Sequence, residues 1–134
     1  MKSKYRLFFV FFLFVPFIGM AQGQHIPDEN GVYFIVDEKP VYPGGEKALR
    51  EFIAENIKYP EDAKTKKISG KVYVSFVVDE KGNVAKAKIA RGVDASIDKE
   101  ALRVVKLMNG WKAGKEDGKL VQVRYTIPIN FETD

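Results

Sequence analysis

The sequence predicts an α+β domain: a small antiparallel sheet of about three strands, with two to three helices packed on one face. Three observations lead there. "KVYVSFVV" (71–78) and "LVQVRYTIPINF" (120–131) alternate apolar with other residues, the period of a strand. "EKALREFIAENI" (46–57) and "SIDKEALRVVKLM" (96–108) space their apolar residues as a helix with one buried face does. Between them "DEKGN" (79–83) joins the first alternating run to "VAKAKIA" through a glycine turn, which makes those two strands antiparallel neighbours.

The 134 residues suit one domain rather than two. Residues 1–21 stand apart from it. Lys2, Lys4 and Arg6 form a basic head, Leu7 to Ile18 is an almost unbroken apolar run, and Gly19-Met20-Ala21 puts small residues before a cut after Ala21. That is the layout of a secretory signal peptide. An uncleaved membrane anchor is the alternative. A spanning helix takes about 20 apolar residues, whereas Leu7 to Ala21 supplies 15 with Pro16 among them. Export places the chain in the periplasm, or anchored in the inner membrane and facing the periplasm if the segment stays.

Three of the 22 Lys and Arg lie in residues 1–21, which hold no Asp or Glu. The whole-chain charge of +4 therefore falls to 19 basic against 18 acidic groups, a net of +1. So balanced a surface leaves no nucleic-acid footprint. Cysteine is absent. Export would permit disulfides; without them the apolar core holds the domain by itself, and no cysteine is available for a lipid anchor.

Residues 22–31 are polar, carry Pro27 and the single histidine, His25, and are expected to form a disordered lead-in to a domain at 32–134. "VYFIV" (32–36) is a short β-type run. Pro43-Gly44-Gly45 turns the chain into the first helix, with Glu46 at its positive end and Leu49, Phe52, Ile53 and Ile57 on one face. Tyr59-Pro60 stops that helix and starts a second, with Pro60 at its first position, Glu61 and Asp62 next, and Lys64, Lys66 and Lys67 at the far end. About two turns long, this helix cannot persist alone in water and must dock.

Gly70 releases the first long strand, which turns Val72, Val74, Phe76 and Val78 one way and Tyr73, Ser75 and Val77 the other. Asp94 or Ser96 caps the third helix, whose buried stripe is Ile97, Ala101, Val104, Val105 and Met108, and Asn109-Gly110 ends it. Trp111 is expected in the core at a sheet edge. In the last strand Val121, Val123, Tyr125, Ile127, Ile129 and Phe131 share the helix-covered face. The opposite face is expected to be wet.

Little here is fit for catalysis. With no cysteine and its one histidine in the lead-in, the domain can assemble neither a Cys–His nor a Ser–His constellation. The usual zinc ligand sets are missing, so neither a metal nor a cofactor is expected. Asp94 and Asp98 fit paired carboxylates or, more simply, a cap and a dipole partner. The hairpin lysines form either a solvated face or a basic docking surface. No phosphate-loop spacing surrounds Gly44-Gly45 or Gly82. An enzyme is not expected.

One feature of the last strand points elsewhere. Pro128 cannot donate a ladder hydrogen bond, so it puts that strand at a sheet edge or marks a bulge. Such an edge is either guarded, here by lysines and the proline itself, or used to accept an extended peptide as a further strand.

"YPEDAKTKKISGKVYVSFVVDEKGNVAKAKI" (59–89) resembles the C-terminal domain of TonB energy transducers. Tyr-Pro, a short helix, a glycine, a strand, an acidic-Gly turn and a return strand follow in the family's order. "WKAGKEDGKLVQVRYTIPINF" (111–131) is similar to the family's Trp, loop and last strand, and "DEKPVYPGGEKALREFIAENI" (37–57) to the extension of Bacteroidetes-type members. The resemblance implies a non-catalytic periplasmic module whose last strand accepts the TonB box of an outer-membrane transporter by β-pairing. In the family this relays work from an ExbB–ExbD motor through an anchored, Pro-rich spacer; with residues 1–21 cut away, this chain is expected to bind without driving transport alone.

Carried over by position, the resemblance implies a pairing edge at Gln122, Val123, Arg124, Tyr125, Thr126, Ile127 and Asn130. It implies a further partner contact at Tyr59, Pro60, Asp62 and Lys64. Proteobacterial members read Tyr-Pro-x-Arg-Ala-Gln where this chain reads Tyr-Pro-Glu-Asp-Ala-Lys, which puts Asp62 at the arginine position. The alternative function is a self-associating structural or adaptor protein, because the same edge permits a homodimer.

The leader generates the first prediction. Intact mass of the periplasmic protein should give a chain beginning at Gln22, whereas a membrane-bound species keeping Met1 would establish the anchor.

Overall fold

A computed structural model describes residues 25–133. The expected signal peptide lies outside the described residues. Eight elements follow in order: β1 (Val32–Tyr33), α1 (Gly45–Asn56), α2 (Glu61–Thr65), β2 (Gly70–Val78), β3 (Val84–Arg91), α3 (Ala95–Lys106), β4 (Gly114–Glu116) and β5 (Lys119–Phe131). The architecture is α+β with three helices, as expected. The sheet is larger than expected, with five strands instead of about three, ordered β1-β5-β2-β3 with β4 also on β5. It is also mixed, because β1 runs parallel to β5. Two and three residues long, β1 and β4 are too short to leave a period in the sequence.

The β2–β5 ladder is the centre of the sheet and runs without interruption from Gly70↔Phe131 to Val78↔Val123. Its helix-covered face presents Val72, Val74, Phe76 and Val78 beside Ile127, Ile129 and Phe131, and α3 lays Ile97, Ala101 and Val105 over them. The third helix begins where its caps dictate. Asp94 accepts from Ser96 N–H at 3.1 Å, and Asp98 Oδ1 accepts from Val93 N–H at 2.9 Å. Both carboxylates are thus occupied with main-chain amides, and the Ser96 hydroxyl bond chiefly holds Asp94 below its ordinary pKa.

α1 has no basic residue in its last turn, and α3 supplies one. Arg103 Nη2 donates to Asn56 O at 2.8 Å and to Glu100 at 2.7 Å, while Glu100 accepts from Lys58 N–H at 2.7 Å. This stitches the end of α1 to α3 and, led by the Arg103 bond, lowers the Glu100 pKa. At the other end of α1, Tyr42 sits edge-on to Trp111, which also meets Phe76 and Tyr125. α2 is a single five-residue turn, with Pro60 as its N-cap rather than its first helical residue. It docks as expected, through buried Ala63 and through Tyr59, whose ring stands 5.7 Å from Phe131.

Two expectations fail. The far face of the sheet is not wet throughout, because Val32, Ser75 and Val77 are buried there. Residues 25–31 are not a loose lead-in either. Asp28 Oδ1 accepts from Val32 N–H at 2.9 Å, Gly31 N–H returns to Asp28 O, and His25 reaches Glu116 at 2.9 Å. That turn delivers Val32 into the sheet. Only two residues of "VYFIV" then pair, and Phe34 and Ile35 stay 61% and 65% exposed.

The β2–β3 turn is fastened to the core by Trp111 N–H donating to Gly82 O at 3.1 Å. Gly82 has φ +84°, and a Cβ there would collide with the Trp111 carbonyl. Gly82→Ala should therefore destabilise the domain by at least about 1–3 kcal/mol in urea unfolding, the cost of left-handed strain at a non-glycine residue.

Candidate functional site

On the side away from β2, β5 has one short neighbour among the described residues, β1, and beyond it none. β4 pairs with Lys119–Val121, and β1 pairs with Gln122 and Val123. From Arg124 to Phe131 no strand of the described residues pairs on that side. The expected pairing edge is therefore shorter than its sequence range, because β1 already occupies Gln122 and Val123. That the short β-type run at 32–36 would give β5 a two-residue parallel partner could not be foreseen from periodicity.

Pro128 orients the rest. It stands opposite Tyr73 in an unbroken β2–β5 register, with no bulge to absorb it. A proline in that position turns its nitrogen away from the neighbouring strand. Main-chain groups alternate sides along a strand, so the N–H groups of Arg124, Thr126 and Asn130 point away from β2 with Pro128, and those of Tyr125, Ile127 and Ile129 face β2. The parallel Tyr33↔Val123 pair takes up the Arg124 N–H, which leaves those of Thr126 and Asn130 open. The other outer strand, β3, is a poorer docking edge. Its pairing with β2 shifts register twice, Lys86 adopts φ +51°, and exposed Lys86 and Lys88 line it.

A groove of about 500 Å³ runs beside the open half-edge. One wall is Pro128, Ile129, Asn130 and Glu132; the other is Arg50, Ile53, Ala54 and Ile57 of α1 and its C-cap. The α1 wall was not recognised from sequence. Its signal lay in an apolar stripe wider than the core needs: Leu49 alone is fully buried in α1, and Ile53 and Ile57 remain half-buried.

The side chains of the remaining expected residues divide by task. Tyr125 and Ile127 point into the helix side, and burial, with Glu46 adding to it, pushes the Tyr125 phenol pKa up. Arg124 Nη1 donates to the buried Ser75 hydroxyl at 2.8 Å on the other face. Thr126 and Asn130 are exposed. Tyr59 donates its hydroxyl to Ile68 O and Pro60 caps α2, so both hold structure. Asp62 and Lys64 are exposed, and Lys64 lines a recess with Tyr59, Lys67, Glu132 and Thr133. Glu132 lines this recess and the groove alike, so the two expected contact regions adjoin.

The family model of the Gram-negative bacterial TonB protein C-terminal matches residues 55–133. The chain belongs to this family. A comparison with curated proteins finds no match. Among solved structures, a Helicobacter pylori TonB C-terminal domain is similar at 22% identity and TM-score 0.50, over 69% of this chain and 87% of that one. A shorter form of the same domain gives 23% identity and TM-score 0.49, over 64% and 90%. A Pseudomonas aeruginosa TonB C-terminal domain gives 20% and 0.42, over 58% and 81%. At such identities the likeness is one of fold.

In this TonB C-terminal domain no helix of the described residues is long and apolar enough to cross a membrane. The open half-edge has a direct readout in hydrogen exchange. Amides of Thr126 and Asn130 should exchange on the order of tenfold or more faster than those of Tyr125, Ile127 and Ile129, as unpaired strand amides do. Equal protection along the strand would show a partner on the outer side.

Proposed function

We propose that this TonB C-terminal domain is a periplasmic protein-binding module, which takes an extended peptide as a new strand along Arg124–Phe131. The single observation that carries the proposal is the unpaired half of β5 beside an apolar groove. Main-chain hydrogen bonds along an edge supply affinity for any extended segment, and side-chain pockets supply choice. The outward amides of Thr126 and Asn130 supply the first. The groove between α1 and β5 supplies the second, with Arg50 and Glu132 offering one charge of each sign.

The partner that family membership favours is the TonB box of an outer-membrane TonB-dependent transporter. Lys64, in the recess that adjoins the groove, and Asp62 on the same helix are the residues we assign to contact with the body of that transporter. Energy-coupled transport would then reach the partner through an ExbB–ExbD-type motor. Residues 1–21 bear on the mode of attachment: cleavage frees the module in the periplasm, retention tethers it to the inner membrane. The second reading, a self-associating adaptor, rests on the same observation, because two open half-edges can pair about a two-fold axis. Sedimentation with and without peptide separates the two.

Thr126→Pro removes one outward amide while leaving the β2 ladder and the exposed side-chain position undisturbed. Calorimetry with the N-terminal peptide of a co-occurring transporter should show binding weakened by about tenfold or more, since a lost main-chain hydrogen bond with its unpaired partner costs roughly 1–3 kcal/mol. Unchanged affinity in a variant with native far-UV dichroism would move the site off this strand.

A further inference from the structure

We propose that His25, Asp37 and Glu116 bind one divalent transition-metal ion, zinc in first place. The three residues come from separate segments: the chain before β1, the loop after it, and β4. Their ligand atoms all lie within 4.8 Å of one another. His25 Nδ1 stands 2.9 Å from Glu116 Oε2 and 3.6 Å from Asp37 Oδ1. Ligands of a tetrahedral zinc with bonds of about 2.0–2.1 Å sit roughly 3.3 Å apart, between those two separations.

The carboxylates are also held as ligands are held. Asp37 N–H donates to Glu116 Oε1 at 2.8 Å, and Asp117 N–H donates to Asp37 Oδ2 at 2.9 Å. Each acid therefore has one oxygen fixed by a main-chain amide; Asp37 turns its other oxygen toward the imidazole, and Glu116 brings both of its oxygens to Nδ1, Oε1 at 3.0 Å and Oε2 at 2.9 Å. Outer partners orient the ligands of metal sites in this way. With a neutral imidazole the cluster carries two negative charges, which a dication offsets. One nitrogen and two oxygen donors suit zinc, and water completes the coordination. The ion takes the place of the proton that Nδ1 shares with Glu116, so binding releases protons. Its structural effect is to tie the lead-in and the loop after β1 to the β4–β5 hairpin.

The rival is an ion pair between an imidazolium and Glu116, which uses the same atoms and needs no metal. Calorimetric zinc titration of the exported protein, purified without a polyhistidine tag, decides between them. The chain has one histidine and no cysteine, so imidazole-dependent binding reports on His25 alone. His25 precedes the first strand and lies outside the core, so His25→Ala spares the fold. One zinc per chain is expected, removed by EDTA, and bound at least about tenfold more weakly by both His25→Ala and Glu116→Gln, a loss that outer-shell changes alone can reach. The proposal is overturned if no saturable binding occurs near one equivalent. It is overturned equally if either variant binds within tenfold of the wild-type protein.

Discussion

The antiparallel ladder between β2 and β5 is the constraint on which the rest depends. Nine consecutive residue pairs run from Gly70↔Phe131 to Val78↔Val123 with no bulge. Because the side-chain period of a strand is two, this register alone decides which residues face the helices. Slipping it by one would turn Ile127, Ile129 and Phe131 to the face opposite Phe76. The ladder also joins positions more than forty residues apart, so its closure brings the hairpin, α3 and the C-terminal strand into one unit.

Around that ladder the helices are placed by a few specific contacts. Trp111 receives Tyr42, Phe76 and Tyr125 and donates its backbone N–H to Gly82, so one residue fixes the start of α1, the hairpin turn and the entry to β4. Glu100 and Arg103 hold the other end of α1, where the carbonyl of Asn56 would otherwise lack a cation. Pinned at both ends, α1 lies beside β5 without pairing to it. A helix cannot satisfy the main-chain groups of a strand edge. It leaves a groove instead of sealing the sheet.

The sheet thus treats its exposed main chain in three ways. β3 is broken by register shifts and covered in lysine, which deters further pairing. The first part of β5 is paired by β4 and β1. The second part keeps an unbroken register with β2 over Arg124–Phe131 and is flanked by an apolar wall. Pro128 interrupts this edge at one position without breaking the register with β2, which limits how strongly another chain can add along its full length.

The sequence by itself determined the α+β class, the three helices, the β2–β3 hairpin, the caps of α3 and the two faces of β5. These are local matters: period, turn residues and cap residues act within a few positions of one another. Asp94 and Gly82 were legible for that reason, and so was the family resemblance carried by Tyr59-Pro60 and the last strand. Only the tertiary structure decided that β1 pairs with Gln122 and Val123, that α1 supplies a second wall at Ile53, Ala54 and Ile57, and that His25 meets Glu116 across 91 positions. Two-residue strands and single long-range contacts have no period to read. Their partners are chosen by the packed sheet, which exists only once the β2–β5 ladder has closed.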